Sequence, residues 1–405
     1  MTTVESRSTA DSAVMRTYGR ADLAFVRGEG SWLITEDGTR YLDCASGIAV
    51  NTLGHSHPAL VDALKAQADQ LWHTSNLYRI PGQERVAEKL AALTGLDQVY
   101  FCNSGAEANE GAVKIARRAA FERGETERTT ILCATGSFHG RTLGMLAATD
   151  KKANRTGFGP MPDGFDHVAF GNLNALRDAL GPHVAAVMIE PVQGEGGARD
   201  AHDDYLRGVR AAADEFGALV IADEVQSGIG RTGTLFAYET SGIRPDIIAV
   251  AKGLGGGFPV GAVIASAEVG NAMTPGTHGS TFAGNPLAMA VSEAVLDTLT
   301  APGFLADVRR RADMLQDALQ KIADRHPGQI DEIRGRGFLR GVRLDPSLDA
   351  GAIVAALRDH RLLTAPAGEN TVRFLPPLII SEEEITLAAD IFATVMAANC
   401  TAKAS

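Results

Sequence analysis

Two charged residues, Asp223 and Lys252, each follow a short apolar run near the middle of this 405-residue chain. Residues 219–222 precede the aspartate, residues 247–251 precede the lysine, and a glycine-rich stretch follows at 253–257. Both runs have the length and the branched side chains of a buried strand. Because the carboxyl ends of parallel strands meet at a ligand crevice, we expect the acid and the lysine to face the same crevice.

This pair of side chains suits one kind of cofactor. A lysine at a dry strand end loses its proton more easily than one in water, and can then form an imine with an aldehyde. A nearby aspartate can keep a ring nitrogen protonated, and together the two are the protein ligands of pyridoxal phosphate. The sequence therefore predicts this cofactor, with Lys252 and Asp223 as catalytic residues. The alternative is a solvated loop lysine and an aspartate that caps a helix.

The composition excludes several classes of protein. With 45% hydrophobic residues and 44 glycines, the chain can form a large α/β core with many tight turns. A net charge of -11 argues against nucleic acid or an anionic membrane as a partner. The four cysteines lie far apart in the sequence, so we expect neither a disulfide framework nor a metal site. We therefore expect the protein to be located in a reducing cytoplasm. No apolar run has the length of a transmembrane helix.

Two loops look suited to binding. The turn Ser104-Gly105-Ala106 follows a predicted strand and opens a helix, where free N–H groups and the helix dipole favour a phosphate. Such a turn is more often a simple cap. In the loop 136–142, Phe138 is either a core residue or stacks on a flat ring. Arg141 is either a surface cation or a clamp for a substrate carboxylate.

The order of predicted elements suggests the domain organisation. Residues 1–16 are polar and form a disordered lead-in, and residues 17–55 contain an antiparallel meander that contributes to a small domain. Residues 56–300 form the large cofactor-binding domain, and 301–405 a C-terminal small α+β domain. His55 and His57 lack a carboxylate or cysteine at matching spacing, so we expect hydrogen-bonding loop histidines and no metal site.

Seven blocks of this sequence resemble the class III, or ω-amino-acid, aminotransferases of pyridoxal phosphate. They follow the family order within residues 14–395: NSGAEANE at 103–110, SFHGRT at 137–142, EPVQGEGG at 190–197, ADEVQSGIGRTG at 222–233, AKGLGGGFP at 251–259, HGSTFAGNP at 278–286 and VRFLPP at 372–377. The resemblance implies fold type I, with a large domain built on a mostly parallel seven-stranded sheet flanked by helices, plus the small domain. It also implies a homodimer with shared active sites.

The resemblance assigns roles at the cofactor. Lys252 would form the imine, Asp223 would pair with the pyridine nitrogen, and Gln226 would approach the phenolic oxygen. Phe138 and Val225 would enclose the ring, while Thr281 would reach the phosphate of the neighbouring subunit. The full set implied for cofactor binding is Ser104, Gly105, Ala106, Phe138, Asp223, Glu224, Val225, Gln226, Lys252 and Thr281.

The resemblance also assigns roles at the substrate. Within the class, the sequence is most similar to members that use N-acetylornithine and 2-oxoglutarate in arginine biosynthesis. Arg141 would bind the remote carboxylate of the donor and Arg373 the near carboxylate of glutamate. Glu195 would neutralise Arg373 while the donor is bound, although the two could also form a purely structural ion pair. Ser280, Tyr18 and the entrance residue Ile48 complete the implied substrate site.

Other functions remain open at this point. The amino donor could be succinylornithine, succinyldiaminopimelate, ornithine or 4-aminobutyrate, because the sequence does not give the pocket width. Relatives of the same fold include racemases, decarboxylases and aminomutases, and a non-enzymatic binding protein is a third possibility. The set of Arg141, Glu195 and Arg373 favours transamination, since only a second, glutamate-like substrate requires such a switch.

Overall fold

The structure is a computed structural model that describes residues 13–401, with side chains to residue 398. The predicted lead-in, residues 1–16, lies largely outside this range. The strands are β1 Phe25–Glu29, β2 Trp32–Thr35, β3 Arg40–Asp43, β4 Gln98–Cys102, β5 Thr130–Ala134, β6 Phe165–Val168, β7 Val184–Ile189, β8 Val192–Gln193, β9 Arg199–Asp200, β10 Leu219–Asp223, β11 Ile247–Val250, β12 Gly261–Ala265, β13 Ile330–Arg336, β14 Leu339–Leu344, β15 Leu362–Leu363, β16 Ala365–Ala367 and β17 Thr371–Phe374.

The helices are α1 Ser46–Ala49, α2 Pro58–Ala68, α3 Pro81–Thr94, α4 Gly105–Glu122, α5 Leu143–Ala148, α6 Lys152–Arg155, α7 Leu173–Ala179, α8 Asp203–Phe216, α9 Ala267–Gly270, α10 Pro286–Leu299, α11 Phe304–Arg325, α12 Ala350–Asp359 and α13 Glu382–Thr401. Element α1 is a single turn in which all four residues have positive φ, between 49° and 65°. Short 3-10 turns occupy Ala237–Ser241 and Lys252–Gly255. In the described part of the chain, no helix is long and apolar enough to cross a membrane.

A seven-stranded sheet forms the centre of the molecule, in the order β4-β12-β11-β10-β7-β5-β6. Strand β12 runs antiparallel to both of its neighbours, and the other adjacent pairs are parallel. Every residue of β7, β10, β11 and β12 is buried, because helices cover both faces. This burial accounts for the continuous apolar runs in the sequence and confirms the predicted mostly parallel sheet.

A smaller antiparallel sheet, in the order β13-β14-β17-β16, lies in the C-terminal part of the chain. The N-terminal meander β1-β2-β3 is extended by β15, which pairs with β3 in parallel orientation. The largest apolar cluster contains Phe338, Phe374 and Phe392 together with Ile248 and Val250 of the central sheet. One continuous core therefore joins the two sheets, and the bounds 17–55, 56–300 and 301–405 remain a proposal for the domains.

Candidate active site

Asp223 and Lys252 lie at the carboxyl ends of adjacent strands. Asp223 is the last residue of β10 and stands opposite Ala249 of the parallel strand β11. Lys252 begins the turn after β11, with the left-handed φ of 40°. The Asp223 side chain is buried, and Lys252 is half-buried. The acid and the lysine thus share one edge of the sheet, as the sequence predicts, since parallel neighbours end on the same side.

The surroundings of Lys252 favour its neutral form. Burial lowers the pKa of its ammonium group to about 8, because the charged form loses solvation there. The Arg373 guanidinium acts in the same direction, whereas the carboxylates of Glu195, Asp223 and Glu190 act against it. An amine with such a pKa is partly unprotonated near neutral pH and can act as a nucleophile or a general base.

Two residues that the sequence analysis did not single out hold Asp223 in place. Its Oδ2 accepts hydrogen bonds from His139 Nδ1 and Asn109 Nδ2, both at 2.7 Å. Its Oδ1 accepts from the Val225 N–H at 3.0 Å. A carboxylate has about four acceptor positions, so three protein donors leave one for a protonated ring nitrogen. Asn109 lies in the motif block at 103–110 and His139 in the block at 137–142. Their membership of these blocks was the sequence signal that could have identified them.

The amino end of α4 provides a cradle for a phosphate. Ser104 caps the helix, and its Oγ accepts from the Glu107 N–H at 3.2 Å. A Cβ at Gly105 would lie 2.5 Å from Val225 Cγ1, so only glycine allows the helix start to approach the loop after β10. Helix geometry leaves the N–H groups of Gly105 and Ala106 without an intrahelical acceptor, so they are free to bind a phosphate. With the low-pKa lysine and the free acceptor of Asp223, this cradle fits pyridoxal phosphate.

The loop 136–142 is fixed from several sides. The Phe138 N–H donates to Glu190 Oε2 at 3.0 Å, and the His139 N–H donates to Thr149 Oγ1 at 2.9 Å. The guanidinium carbon of Arg141 lies 5.5 Å from the centre of the Phe138 ring, and Arg141 is exposed. Phe138 is half-buried. The loop therefore presents an aromatic ring and a solvated cation side by side.

Arg373 forms the second charged centre, on β17. Its side chain is 1% exposed, its Nη2 lies 2.7 Å from Glu195 Oε1, and its Nη1 donates to Gln226 Oε1 at 2.7 Å. Burial alone would raise the pKa of Glu195, but the charge and hydrogen bond of Arg373 hold it below its ordinary value. The bond from Arg373 uses the acceptor of the Gln226 amide and leaves the Nε2 donors for a cofactor oxygen.

Two buried carboxyl groups support the site. Burial and the nearby Asp223 raise the pKa of Glu190 well above its usual range. Burial raises the pKa of Glu224 to about 7, although its carboxyl accepts from Ser227 Oγ at 2.6 Å and from the Tyr238 N–H at 2.9 Å. These bonds give the Glu224 side chain a role within its own loop, and its contact with a cofactor remains a prediction.

The remaining predicted residues lie at the edge of the site or on the surface. Ser280 Oγ accepts from Asn103 Nδ2 at 2.9 Å, next to the phosphate cradle. Thr281 is exposed, and so is Tyr18, with 75% of its surface accessible and its ring near Arg20. Ile48 packs against the cluster that includes Val192 and Leu375. The roles of Thr281 and Tyr18 at the site therefore remain predictions.

His55 forms hydrogen bonds as the sequence analysis expected, whereas the buried Nδ1 of His57 has no hydrogen-bond partner among the described residues. The Nε2 of His55 lies 2.8 Å from Asp43 Oδ2, while Asp43 Oδ1 accepts from the N–H groups of Ala45 and Ser46 at 2.9 and 2.8 Å. The pair thus supports the left-handed turn α1 through hydrogen bonds.

Comparison with known proteins identifies the family. The model of the class III aminotransferase family matches residues 14–396. The chain belongs to the class III aminotransferases. These enzymes depend on pyridoxal phosphate, which confirms the predicted class and cofactor. The acetylornithine aminotransferase of Brucella melitensis is 53% identical over 91% of this chain and 91% of that protein. The protein of the same name from Agrobacterium fabrum is 50% identical over 93% and 94%.

Solved structures of this family share the fold. The ornithine aminotransferase of Toxoplasma gondii has a TM-score of 0.92 and 33% identity, covering 95% of this chain and 93% of that one. The N-acetylornithine aminotransferase of Stenotrophomonas maltophilia has a TM-score of 0.83 and 36% identity, covering 95% and 98%. In this class III aminotransferase, Asp223 and Lys252 lie at the ends of adjacent strands, and the Arg373 guanidinium is close enough to lower the pKa of Lys252.

Proposed function

We propose that the protein reversibly transfers the δ-amino group of N2-acetyl-L-ornithine to 2-oxoglutarate. The products are N-acetylglutamate 5-semialdehyde and L-glutamate, a step of arginine biosynthesis. The pairing of Arg373 with Glu195 at 2.7 Å beside Lys252 carries this proposal. The names of the relatives that are 50–53% identical support the choice of donor. The two substrates react in turn at one site, so the kinetics are ping-pong.

The two substrates place a carboxylate at different distances from the reacting amine. In the acetylated donor the carboxylate is remote, and the exposed Arg141 offers it a bidentate partner at the rim. In glutamate the carboxylate is adjacent, and Arg373 binds it deeper in the site. Glu195 neutralises Arg373 during the first half-reaction and releases it during the second. Without this carboxylate, the buried arginine would remain an uncompensated charge.

The residues at the strand ends perform the proton transfers. Bound pyridoxal phosphate supplies an aldehyde that accepts the amino group and a ring that stabilises a carbanion. The Nζ of Lys252 would take a proton from the substrate carbon as general base and return it as general acid, a role typically worth about 10²–10⁴-fold in rate. Asp223 keeps the ring nitrogen protonated through its remaining acceptor position. Phe138 and Val225 would enclose the ring and exclude water from its faces.

The proposal includes a homodimer with shared sites. Thr281 and Phe282 are exposed, and Asn76 Nδ2 donates to the Ala283 carbonyl at 2.9 Å, which joins their loop to residues 74–78. Large exposed apolar side chains occur within residues 71–78 and in the Thr281 loop: Leu71, Trp72, Leu77, Tyr78 and Phe282. Such a patch is typical of an interface. A second subunit that covers it would receive Thr281 at its own phosphate cradle.

We also place the protein in a reducing cytoplasm. Cys44, Cys102 and Cys133 are buried free thiols, and burial raises their pKa values, so these side chains are unreactive in the fold. The net charge of -11 suits a protein whose partners are small carboxylate substrates and a second copy of itself.

Spectroscopy of the purified holoenzyme tests the donor. N-acetylornithine without an oxo acid should abolish the visible band of the bound cofactor, and 2-oxoglutarate should restore it. Ornithine is the main competitor, because the Toxoplasma gondii ornithine aminotransferase matches this fold with a TM-score of 0.92. If ornithine or 4-aminobutyrate abolished the band at lower concentrations, that compound would be the preferred donor, and the protein would still be an aminotransferase. Failure to hold the cofactor would contradict the enzymatic function.

A further inference from the structure

Arg231 is a buried cation on the loop that begins with Asp223. Its side chain is 2% exposed, and its Nη1 donates to the Pro376 carbonyl at 2.5 Å and to the Phe338 carbonyl at 3.3 Å. Its Nε and Nη2 find no hydrogen-bond partner among the described residues. Burial lowers the pKa of Arg231 to about 9, while the charge of Asp43 acts in the opposite direction.

The two carbonyl groups belong to the same end of the small C-terminal sheet. Phe338 directly precedes β14, and Pro376 follows β17 by two residues. Strands β14 and β17 are antiparallel neighbours, in which Arg340 stands opposite Phe374. The Phe338 N–H also donates to the Arg231 carbonyl at 2.9 Å. Residue 231 is therefore bonded to this sheet through both its backbone and its side chain.

This connection affects Arg373, which lies on β17 three residues before Pro376. The loop after Asp223 bonds to β17 at one point and to the chain just beyond β17 at another. Gln226 accepts from the guanidinium of Arg373, and Arg231 donates to the Pro376 carbonyl. The same loop starts at Asp223, the proposed partner of the ring nitrogen. The distance between the cofactor and the carboxylate-binding arginine thus depends on how this loop meets the end of β17.

A general stability role does not explain a charged residue here. A buried ion with unsatisfied donors is often no better for stability than an apolar side chain of similar volume. The Nη1 of Arg231, however, carries two N–H donors and binds the Pro376 and Phe338 carbonyl groups together, which an apolar residue cannot do. We propose that Arg231 is a positioning residue that aligns Arg373 with the carboxylate of the glutamate-type substrate. The inference rests on the proposed role of Arg373.

The test compares binding at Arg373 with binding of the donor. Glutarate is a dicarboxylate that resembles 2-oxoglutarate but cannot react, so its dissociation constant can be measured by calorimetry on holoenzyme that carries the aminated cofactor, the form that binds 2-oxoglutarate. In Arg231→Met, we expect this constant and the KM for 2-oxoglutarate to rise at least about tenfold, because small misplacements of a binding group have large effects. The KM for N-acetylornithine should change by less than about threefold, since Arg141 binds that carboxylate. For Arg231→Lys, we expect the glutarate dissociation constant and the KM for 2-oxoglutarate to lie between those of the wild type and those of Arg231→Met.

Arg311 offers a matched control. It is 7% exposed, and its Nη1 donates to the Ile380 carbonyl, four residues after Pro376, while Asp307 pairs with it. Arg311→Met should lower the Tm and leave the glutarate constant unchanged. The inference would be overturned if the Arg231 and Arg311 variants changed the constants for both substrates equally. It would also be overturned if both Arg231 variants were unfolded while the Arg311 variant stayed folded. Wild-type protein that does not bind glutarate would instead contradict the role of Arg373 in the proposed function.

Discussion

His139 Nδ1 lies 2.7 Å from Oδ2 of Asp223, and both side chains are buried. The Nε2 of His139 has no partner in the described part of the structure. Since the bond to a carboxylate requires a proton on Nδ1, a neutral ring with a bare Nε2 leaves no buried donor unsatisfied. The histidine therefore acts as a hydrogen-bond donor that orients the Asp223 carboxylate.

Replacement of His139 tests this role. In His139→Ala we expect the cofactor to dissociate about 10–100 times more readily, because a hydrogen bond to a charged group is worth about 1.5–3 kcal/mol. Fluorescence titration of the apoenzyme with pyridoxal phosphate measures the constant. Asn109→Ala should act in the same direction. Replacement of the exposed His183 by alanine serves as the control. If the dissociation constant of pyridoxal phosphate stayed unchanged in both His139→Ala and Asn109→Ala, Asp223 would need neither donor.

The pKa of Lys252 predicts how cofactor capture depends on pH. Only the neutral amine attacks an aldehyde, and burial lowers the pKa of this lysine to about 8. The rate at which the apoenzyme captures pyridoxal phosphate should therefore rise as pH increases through about 8 and level off above it. Stopped-flow absorbance from pH 6 to about 10 measures the profile, which for an ordinary lysine would rise only near about 10.4. Lys252→Ala should show no such capture.

Glu195→Gln should separate the two half-reactions. The amide cannot neutralise Arg373, so the KM for N-acetylornithine should rise about tenfold while the KM for glutamate stays the same or falls. The stability loss should be less than the about 3–5 kcal/mol of a fully buried pair, because Glu195 is 30% exposed. Single-turnover absorbance measures each half-reaction. The control is Glu332→Gln, which removes an exposed partner of Arg334. If Glu195→Gln slows both half-reactions equally, the pair of Arg373 and Glu195 is purely structural.

Gly194→Ala should disturb the contact between Gln226 and Arg373. A Cβ at this position would lie 1.8 Å from Gln226 Oε1, so the amide must move away from the arginine. We expect a loss of about 1–3 kcal/mol in the free energy of unfolding, as for other overpacked sites, together with weaker glutarate binding. Calorimetry gives both quantities. Gly19→Ala, where a Cβ meets no atom within 4 Å, should match wild type.

Much of the fold follows from local patterns. The apolar runs before Asp223 and Lys252 predict two buried strands, and both occur, at Leu219–Asp223 and Ile247–Val250. The glycine-rich stretch after Lys252 and the cap at Ser104 predict where the chain turns. The preference of a residue for a turn or a helix cap depends on the residue itself and its nearest neighbours. The motif blocks carry the resemblance to the family, which the comparisons confirm.

By itself, the sequence determined the class of enzyme, the cofactor and the two residues at the strand ends, since strand patterns and motif blocks are local signals. The tertiary structure decided which groups support them. Asn109 meets Asp223 across 114 residues, Gln226 meets Arg373 across 147, and Arg231 meets Pro376 across 145. No periodicity or propensity encodes such contacts, because they depend on how the packed core brings distant loops to one edge of the sheet.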